Sequence, residues 1–209
     1  LVSGSASISK VESEELSPRT NGMTKHSLVA TAGQVFAYDD EWYSEYDGVS
    51  PRLEDDGKTL VIPVVDVVAK SSWWGSVFSA KSVRRALGNH ADAEKIVLEI
   101  NCPGGEVFEG TEIYNVLRRD GRPVEAHVLG IAASMASVIM LAADERYMAP
   151  GSMVMIHDPW SIAVGGPSDM DEASQKLGKI RDNMLEIYAD RTGGSKDVIR
   201  DAMRAETWL

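Results

Sequence analysis

Apolar positions after residue 58 follow two different spacings, and this pattern predicts strands that alternate with helices. β-branched and apolar runs are typical of buried strands, and they occur at 59–68, 95–101, 124–130, 146–150 and 153–159. Apolar residues three or four positions apart are typical of amphipathic helices, and they occur at 79–90, 107–120, 169–191 and from Ser195 onward. This alternation predicts an α/β fold with a mostly parallel sheet.

The segment GIAASMASVIMLAA, residues 130–143, consists almost entirely of small and apolar residues around two serines. It follows the predicted strand 124–130 and is itself predicted to be a helix. Small residues let helices pack closely, and a serine in such a helix can bond a carbonyl one turn back. The segment is too short and too rich in Gly, Ala and Ser for a membrane span, so no membrane partner is expected.

The first fifty residues lack the pattern of the rest of the chain. Residues 1–27 are rich in Ser, Thr, Glu and Gly without apolar periodicity, which is typical of a flexible arm. No basic region followed by an apolar run, the mark of a signal peptide, opens the chain. We therefore predict a partly flexible N-terminal extension over 1–50 and one α/β domain over 51–209.

Net charge limits the classes of partner that we expect, and cysteine content indicates the redox compartment. The formal net charge of −11 argues against nucleic acid, because phosphate binding requires clustered Lys and Arg. The single cysteine, Cys102, cannot form an intrachain disulfide, which suits a reducing compartment. No histidine motif accompanies Cys102, so we expect a small buried residue rather than a nucleophile. These features favour a soluble, intracellular protein.

Candidate chemistry lies where three predicted strands end, in NCPGG (101–105), LGIAAS (129–134) and MIHDP (155–159). The active groups of parallel sheets usually gather at the carboxyl ends of strands. Ser134 falls in the first turn after a strand, near the positive end of a helix, where developing negative charge is stabilised. Taken alone, Ser134 fits a packing serine equally well, and Ser137, one turn deeper, is expected to be a packing residue.

The histidines single out a partner for this serine. His157 ends an apolar strand where the chain must turn outward, and a general base is needed at such a position. His26 and His90 are expected in solvent, and His127 inside the core. Ser134 and His157 together make a Ser–His pair plausible.

Gly104 and Gly105 supply a third element after the strand 95–101. A glycine pair lets the backbone turn sharply and expose its N–H groups. Such N–H groups can bind an oxyanion, and each donor stabilises the transition state by roughly 3 kcal/mol. Because the Gly105 N–H must then face the substrate carbonyl, we expect Gly105→Ala to lower turnover far more than stability.

Three motifs, INCPGGEVFEG, GIAASMAS and MVMIHDPW, resemble in order and spacing those of the Clp protease proteolytic subunit, a serine peptidase with a crotonase-like fold. The resemblance covers about 95–209. It implies that Ser134 is the nucleophile and His157 the general base, and that the N–H groups of Gly105 and Met135 form the oxyanion hole. It implies neither a cofactor nor a metal.

The motifs leave the identity of the third catalytic residue open. The family uses an Asp, and the matching position here is Glu206, in AETWL. Asp158 stands where the housekeeping subunit usually has Gln, but adjacent strand residues point to opposite faces, which makes it a poor partner for His157. The alternatives left open are Asp158, Asp169, Asp171 and Asp201.

Within the family, GGEVFEGTEIYNVLRR, MIHDPW and AETWL resemble the Clp-like head maturation proteases of tailed phages. This implies a ring-shaped homo-oligomer that cleaves capsid or scaffold proteins in the bacterial cytoplasm or within the prohead, with an unfoldase ATPase as an optional partner. The alternatives are a housekeeping subunit that needs an unfoldase, and a non-catalytic ring-forming structural subunit. Relatives continue beyond the position of Leu209, which implies a C-terminal truncation.

Overall fold

The computed structural model describes residues 27–31, 34–38, 50–71 and 76–209. Strands β1 (Ser27–Thr31) and β2 (Gln34–Tyr38) form an antiparallel pair within the predicted N-terminal extension. The flexible arm predicted over 1–27 lies outside the described residues except for Ser27. The division of the chain after residue 50 stays a prediction.

Beyond residue 50, the described residues form strands interleaved with helices, as the apolar spacing predicts. The strands are β3 (Arg52–Leu53), β4 (Thr59–Val64), β5 (Val67–Val68), β6 (Val77–Phe78), β7 (Lys95–Cys102), β8 (Val124–Ala133), β9 (Glu145–Met148), β10 (Met153–Ile156) and β11 (Thr207–Trp208). The helices are α1 (Ala80–Asn89), α2 (Val107–Asp120), α3 (Met135–Met140), α4 (Pro167–Thr192) and α5 (Lys196–Arg204).

Four parallel strands form the centre of the main sheet, in the order β10-β8-β7-β4. β9 runs parallel to the first part of β8, and β10 runs parallel to its last residues. β3 and β11 close the two ends of the sheet with antiparallel pairings. The carboxyl ends of β7, β8 and β10 therefore lie along the same edge.

The core is formed by alternate residues of the central strands packed with the helices. Fully buried side chains include Leu98 and Ile100 on β7 and Ile113 on α2. Glu125 and His127 alternate with buried residues of β8 and are only half-buried, as the two-residue repeat of a strand requires. The sheet thus has one packed face and one face that is partly open.

The helix predicted over 130–143 is wrong in its extent, because α3 begins only at Met135. Residues 130–133 continue β8 instead, and Ile131 pairs with Met153 of β10. A run of small apolar residues does not distinguish a buried strand from a helix by periodicity. The correction matters for the site, since it places Ser134 directly at a strand-to-helix junction.

Two predicted strands are shorter in the structure. The predicted strand 59–68 is divided into β4 and β5 at Asp66, whose φ of +61° does not fit a strand. The predicted strand 153–159 ends at Ile156, so His157 is the first residue beyond β10.

The long helix α4 has more exposed residues than any other described helix. It begins with Pro167 at its first turn and ends at Gly193, whose φ of +69° terminates the helix. Its buried residues are Met184, Leu185 and Tyr188, all in the second half. No helix in the described part of the chain combines the length and the apolar character that a membrane crossing requires.

Candidate active site

Three chain segments meet at the carboxyl edge of the sheet. Cys102 at the end of β7 pairs with Ala132, and Ala133 at the end of β8 pairs with Met155 of β10. The loop after β7, the turn after β8 and the turn after β10 are therefore neighbours. The structure thus brings together the three motif segments that the sequence singles out.

Ser134 occupies a sharp turn between β8 and α3. Its φ of +52° is uncommon for a residue with a side chain, and its ψ is −123°. Such a conformation costs on the order of 1–3 kcal/mol and clusters at functional sites. The Ser134 N–H donates to the Met155 carbonyl at 2.9 Å, which fixes the turn against β10.

His157 reaches Ser134 across this edge. The distance between Nε2 of His157 and Oγ of Ser134 is 2.8 Å, which is within hydrogen-bond reach for proton transfer. His157 is buried, with 8% of its surface exposed, whereas Ser134 is half-buried. When Nε2 accepts the hydrogen bond from the serine hydroxyl, the single N–H proton of the neutral imidazole lies on Nδ1.

The surroundings of His157 favour its neutral form. Burial lowers the pKa of His157 from 6.5, because desolvation disfavours the imidazolium ion. The negative charges of Glu206 and then Asp158 act in the opposite direction. The net effect leaves an uncharged imidazole at neutral pH, which is the form that can accept a proton.

Glu206 is held near His157 by the last strand. β11 pairs with β10 so that Ile156 lies opposite Thr207, the residue after Glu206. Glu206 is half-buried and adopts a φ of +50°. The described contacts include its electrostatic effect on His157 but no hydrogen bond between the two side chains. The role of Glu206 as third catalytic residue stays a prediction.

Asp158 is the other carboxylate near this histidine. Its N–H donates to the Met203 carbonyl at 3.0 Å, which ties the turn after β10 to α5. One carboxylate oxygen, Oδ1, is buried without a hydrogen-bond partner among the described residues. Asp158 raises the pKa of His157 less than Glu206 does, and the choice between the two carboxylates as third catalytic residue stays a prediction.

The glycine loop packs directly against the turn at Ser134. A Cβ atom on Gly104, whose φ is +95°, would lie 2.7 Å from Cβ of Ser134 and 2.8 Å from N of Met135. Met135 is the first residue of α3, and the N–H of a first helical residue has no acceptor within the helix. The predicted oxyanion donor at Met135 thus stands beside both the loop and the serine.

Gly105 is required for a reason that its motif does not reveal. A Cβ atom there would lie 2.1 Å from the carbonyl oxygen of Val68, and φ is +148°. Val68 donates to the Gly104 carbonyl at 2.8 Å and accepts from the Glu106 N–H at 2.7 Å. We therefore expect Gly105→Ala to lower stability as well as turnover, since the added methyl group would displace β5, and the prediction that turnover falls far more than stability stays a prediction.

Cys102 lies beneath this loop as a buried residue, as predicted. Its thiol donates to the Asp66 carbonyl at 3.0 Å and accepts from the Gly104 N–H at 3.4 Å. Burial raises the pKa of Cys102 to about 12, so the thiolate needed for nucleophilic chemistry is not formed near neutral pH.

Two of the other histidines, His90 and His127, lie away from the site. Nδ1 of His90 is 2.9 Å from the Ala86 carbonyl at the end of α1. His127 is half-buried rather than inside the core, and its ring meets Tyr147 edge-on at 5.0 Å between centroids. The core placement predicted for His127 is wrong because it lies on the open face of β8. His26 falls outside the described residues.

Ser137 is buried one turn after Ser134 and is hydrogen-bonded on both sides. Its hydroxyl donates to the Ser134 carbonyl at 2.6 Å and is 2.7 Å from the hydroxyl of Tyr188. The bond to Ser134 is the helical back-bond expected of a serine in such a segment. Its partner Tyr188 lies on α4, and nothing local in the sequence indicates that contact.

No group of three or more His, Cys, Asp or Glu side chains in the described part of the chain is arranged to hold a metal ion.

Comparison with known families agrees with this geometry. The family model described as Clp protease matches residues 81–209, which is more than half of the chain. The chain belongs to the Clp protease family. The matched region contains both Ser134 and His157, together with the glycine loop and Glu206.

Two relatives show how similar this chain is to members of the family and how much of their length it covers. The ATP-dependent Clp protease proteolytic subunit 1 of Chlamydia abortus is 35% identical over 123 residues, covering 56% of this chain and 62% of that protein. The ATP-dependent Clp protease proteolytic subunit of Pleurastrum terricola is 35% identical over 130 residues, covering 61% of this chain and 66% of that protein. The chain thus spans just under two thirds of the length of these relatives.

A solved structure confirms the predicted fold class. A ClpP1 point mutant from Listeria monocytogenes superimposes with a TM-score of 0.62 at 22% identity, covering 74% of this chain and 83% of the other. At this identity the likeness establishes the fold alone, and the fold is the α/β Clp protease fold predicted from the motifs.

Proposed function

We propose that the protein is a serine endopeptidase that uses Ser134 as nucleophile and His157 as general base. The observation that carries the proposal is the distance of 2.8 Å between Nε2 of His157 and Oγ of Ser134. The strained backbone of Ser134 and the burial of His157 support it, because both are typical of active sites. The names of the relatives, which are proteolytic subunits, support the same reaction.

In the proposed reaction, Oγ of Ser134 attacks the carbonyl carbon of a peptide bond while Nε2 of His157 takes the hydroxyl proton. The negative charge that forms on the former carbonyl oxygen is stabilised by the N–H groups of Gly105 and Met135. His157 then gives its proton to the leaving amine. Water hydrolyses the resulting acyl-enzyme with the same histidine as base, while Glu206 stabilises the imidazolium ion.

The biological substrate distinguishes two versions of this proposal. The relatives are named subunits of ATP-dependent Clp proteases, which supports the housekeeping alternative better than head maturation. The head maturation role rests on the motifs MIHDPW and AETWL and stays a prediction. For either role we propose that the protein acts in the bacterial cytoplasm or, for head maturation, within the prohead. Cleavage of a folded, tagged substrate only with ATP and a Clp unfoldase favours the first role, and cleavage of a capsid protein without ATP favours the second.

We also propose that the protein acts as a homo-oligomeric ring. Trp160, Ile162 and Val164 follow the site and expose 53%, 82% and 91% of their surfaces. Exposed apolar groups this close together are typical of an interaction surface. Association of copies would cover them and place the sites on the inside of an assembly.

Labelling with a fluorophosphonate tests the proposed reaction directly. The probe should modify Ser134, as located by peptide mass spectrometry, and Ser134→Ala should abolish both labelling and peptide hydrolysis. Loss of a serine nucleophile typically costs about 10⁶ in turnover. Ser152→Ala is the control, since Ser152 is a serine away from the site whose hydroxyl bonds the Ala149 carbonyl. Hydrolysis by Ser134→Ala at the wild-type rate would refute the proposal, and an unlabelled wild-type protein would support the non-catalytic alternative.

A further inference from the structure

A buried chain of hydroxyl groups leads from α4 to the backbone of Ser134. The Tyr188 hydroxyl is 2.7 Å from Oγ of Ser137, which is 2.6 Å from the Ser134 carbonyl oxygen. Ser137 has no exposed surface, and Tyr188 exposes 4%.

The direction of the hydrogen bonds follows from their acceptors. A carbonyl oxygen only accepts, so the single hydroxyl proton of Ser137 is donated to Ser134. Tyr188 must then donate its own proton to Oγ of Ser137. Burial raises the pKa of Tyr188 to about 12, so this donor keeps its proton across the working range of a peptidase.

The carbonyl of Ser134 is held by two donors from one residue. The backbone N–H of Ser137 reaches it at 3.0 Å, and the side-chain hydroxyl reaches it at 2.6 Å. A peptide unit is planar, so the Ser134 carbonyl and the Met135 N–H turn together as one rigid group. Any contact that fixes the carbonyl therefore also fixes the direction of the Met135 N–H.

The helix that carries Tyr188, α4, is itself bonded to the backbone after α3. On α4, one turn after Tyr188, the guanidinium group of Arg191 donates to the carbonyls of Leu141 and Ala143 at 2.9 and 2.8 Å. These bonds hold α4 against the end of α3. Tyr188 consequently has a defined position relative to Ser137.

We propose that Ser137 and Tyr188 are positioning residues that orient the Ser134–Met135 peptide plane and, through it, the oxyanion donor at Met135. The inference rests on the proposed function. It assigns the two hydroxyl groups to catalysis by way of the backbone, without contact with the substrate. Their contribution should therefore be to the rate of acylation rather than to substrate binding.

Three variants separate this role from simple packing. Ser137→Ala removes the side-chain bond to Ser134 and leaves the buried Tyr188 hydroxyl without an acceptor. Tyr188→Phe removes only the Tyr188 hydroxyl and keeps the bond between Ser137 and the Ser134 carbonyl. The double variant lacks the bond to Ser134 but has no unpaired hydroxyl. Ser152→Ala is a matched control, because Ser152 makes the same bond to the carbonyl three residues back, at 2.7 Å.

The expected results differ for stability and for rate. Ser137→Ala should lower the melting temperature, and the double variant should recover most of that loss, since an unpaired buried hydroxyl destabilises the fold. The rate of fluorophosphonate labelling should fall about tenfold in both, less than the ~10²–10³ lost when an oxyanion donor is removed altogether. Tyr188→Phe should show a smaller decrease, and Ser152→Ala none.

Two further readouts identify a positioning effect. With a short peptide substrate, kcat should fall while KM stays unchanged, and the pH midpoint of the rate should not move because His157 is untouched. If Ser137→Ala is labelled as fast as the wild type, or if the double variant recovers rate together with stability, the positioning role is refuted. An unlabelled wild-type protein refutes the proposed function itself and this inference with it.

Discussion

At the scale of single residues, His157 is subject to two opposing influences. Burial lowers its pKa, whereas Glu206 and Asp158 raise it by a smaller total amount. In the unfolded chain this histidine would titrate near its ordinary value of 6.5. The folded protein therefore binds fewer protons below that pH than the unfolded chain does. Its stability should fall as the pH drops through 6.5 toward the folded pKa.

Glu206→Gln should change both the level and the pH dependence of peptide hydrolysis. Loss of the Glu206 carboxylate removes the stronger of the two electrostatic effects that raise the pKa of His157, so the acid limb of the rate profile should move to lower pH. The plateau should fall by up to roughly 10⁴ if the Nδ1 tautomer is lost. A pH series of kcat/KM on a short peptide measures both effects.

Asp158→Asn is the matched comparison for this prediction. Its influence on His157 is weaker, so the acid limb should move less and the plateau should be better preserved. A larger loss of plateau rate in Asp158→Asn than in Glu206→Gln would assign the third catalytic role to Asp158.

The sequence predicts some of these residues better than others. Ser134 and His157 stand out because each follows an apolar strand, and the structure brings them within hydrogen-bond distance. The contact between Ser137 and Tyr188 is not predictable in the same way, because the two residues are 51 positions apart on different helices. Contacts between distant buried hydroxyl groups leave no periodic signal.

At the scale of elements, Val68 of β5 and the glycine loop are joined by two backbone hydrogen bonds. Gly105→Ala should lower the free energy of unfolding by about 3 kcal/mol, because the methyl group would meet the Val68 carbonyl at 2.1 Å. Turnover should fall as well, since the loop carries a predicted oxyanion donor. Urea unfolding together with labelling kinetics measures both effects.

Gly121→Ala is the control for backbone strain in this experiment. Gly121 also has a positive φ, +89°, but a Cβ atom there would meet nothing within 4 Å. We expect a loss of only about 1–2 kcal/mol, with normal labelling. Equal destabilisation by the two substitutions would show that contact with Val68 is unimportant.

The order of the elements is predictable from the sequence, but the boundaries around the site are less so. The strands and helices from 59 to 204 occur in the predicted order. β8 extends to Ala133 because its last residues pair with β10, a partner that follows 20 residues later. Local composition at 130–133 fits a strand and a helix equally well, and only the tertiary pairing decides between them.

At the scale of the whole molecule, assembly is the open property. The wild-type chain should form a discrete homo-oligomer, and Ile162→Asp with Val164→Asp should reduce it toward monomer, because charges would then occupy the exposed apolar segment. Light scattering coupled to size exclusion measures the mass. Val198→Asp is the control, since Val198 is 68% exposed on α5. An unchanged mass in the double variant would place the interface elsewhere.

The predicted role of Glu206 requires that folding bring β11 onto β10. Ser134 and His157 are 23 positions apart, whereas Glu206 precedes a strand that is joined to β10 by hydrogen bonds between the backbone groups of Leu209 and Val154, at 2.8 and 3.0 Å. Pairings between distant segments form slowly, because loop closure costs entropy before it is rewarded. On the predicted role of Glu206, a chain whose serine and histidine are already in place during synthesis from the N-terminus would not yet have its full rate of hydrolysis.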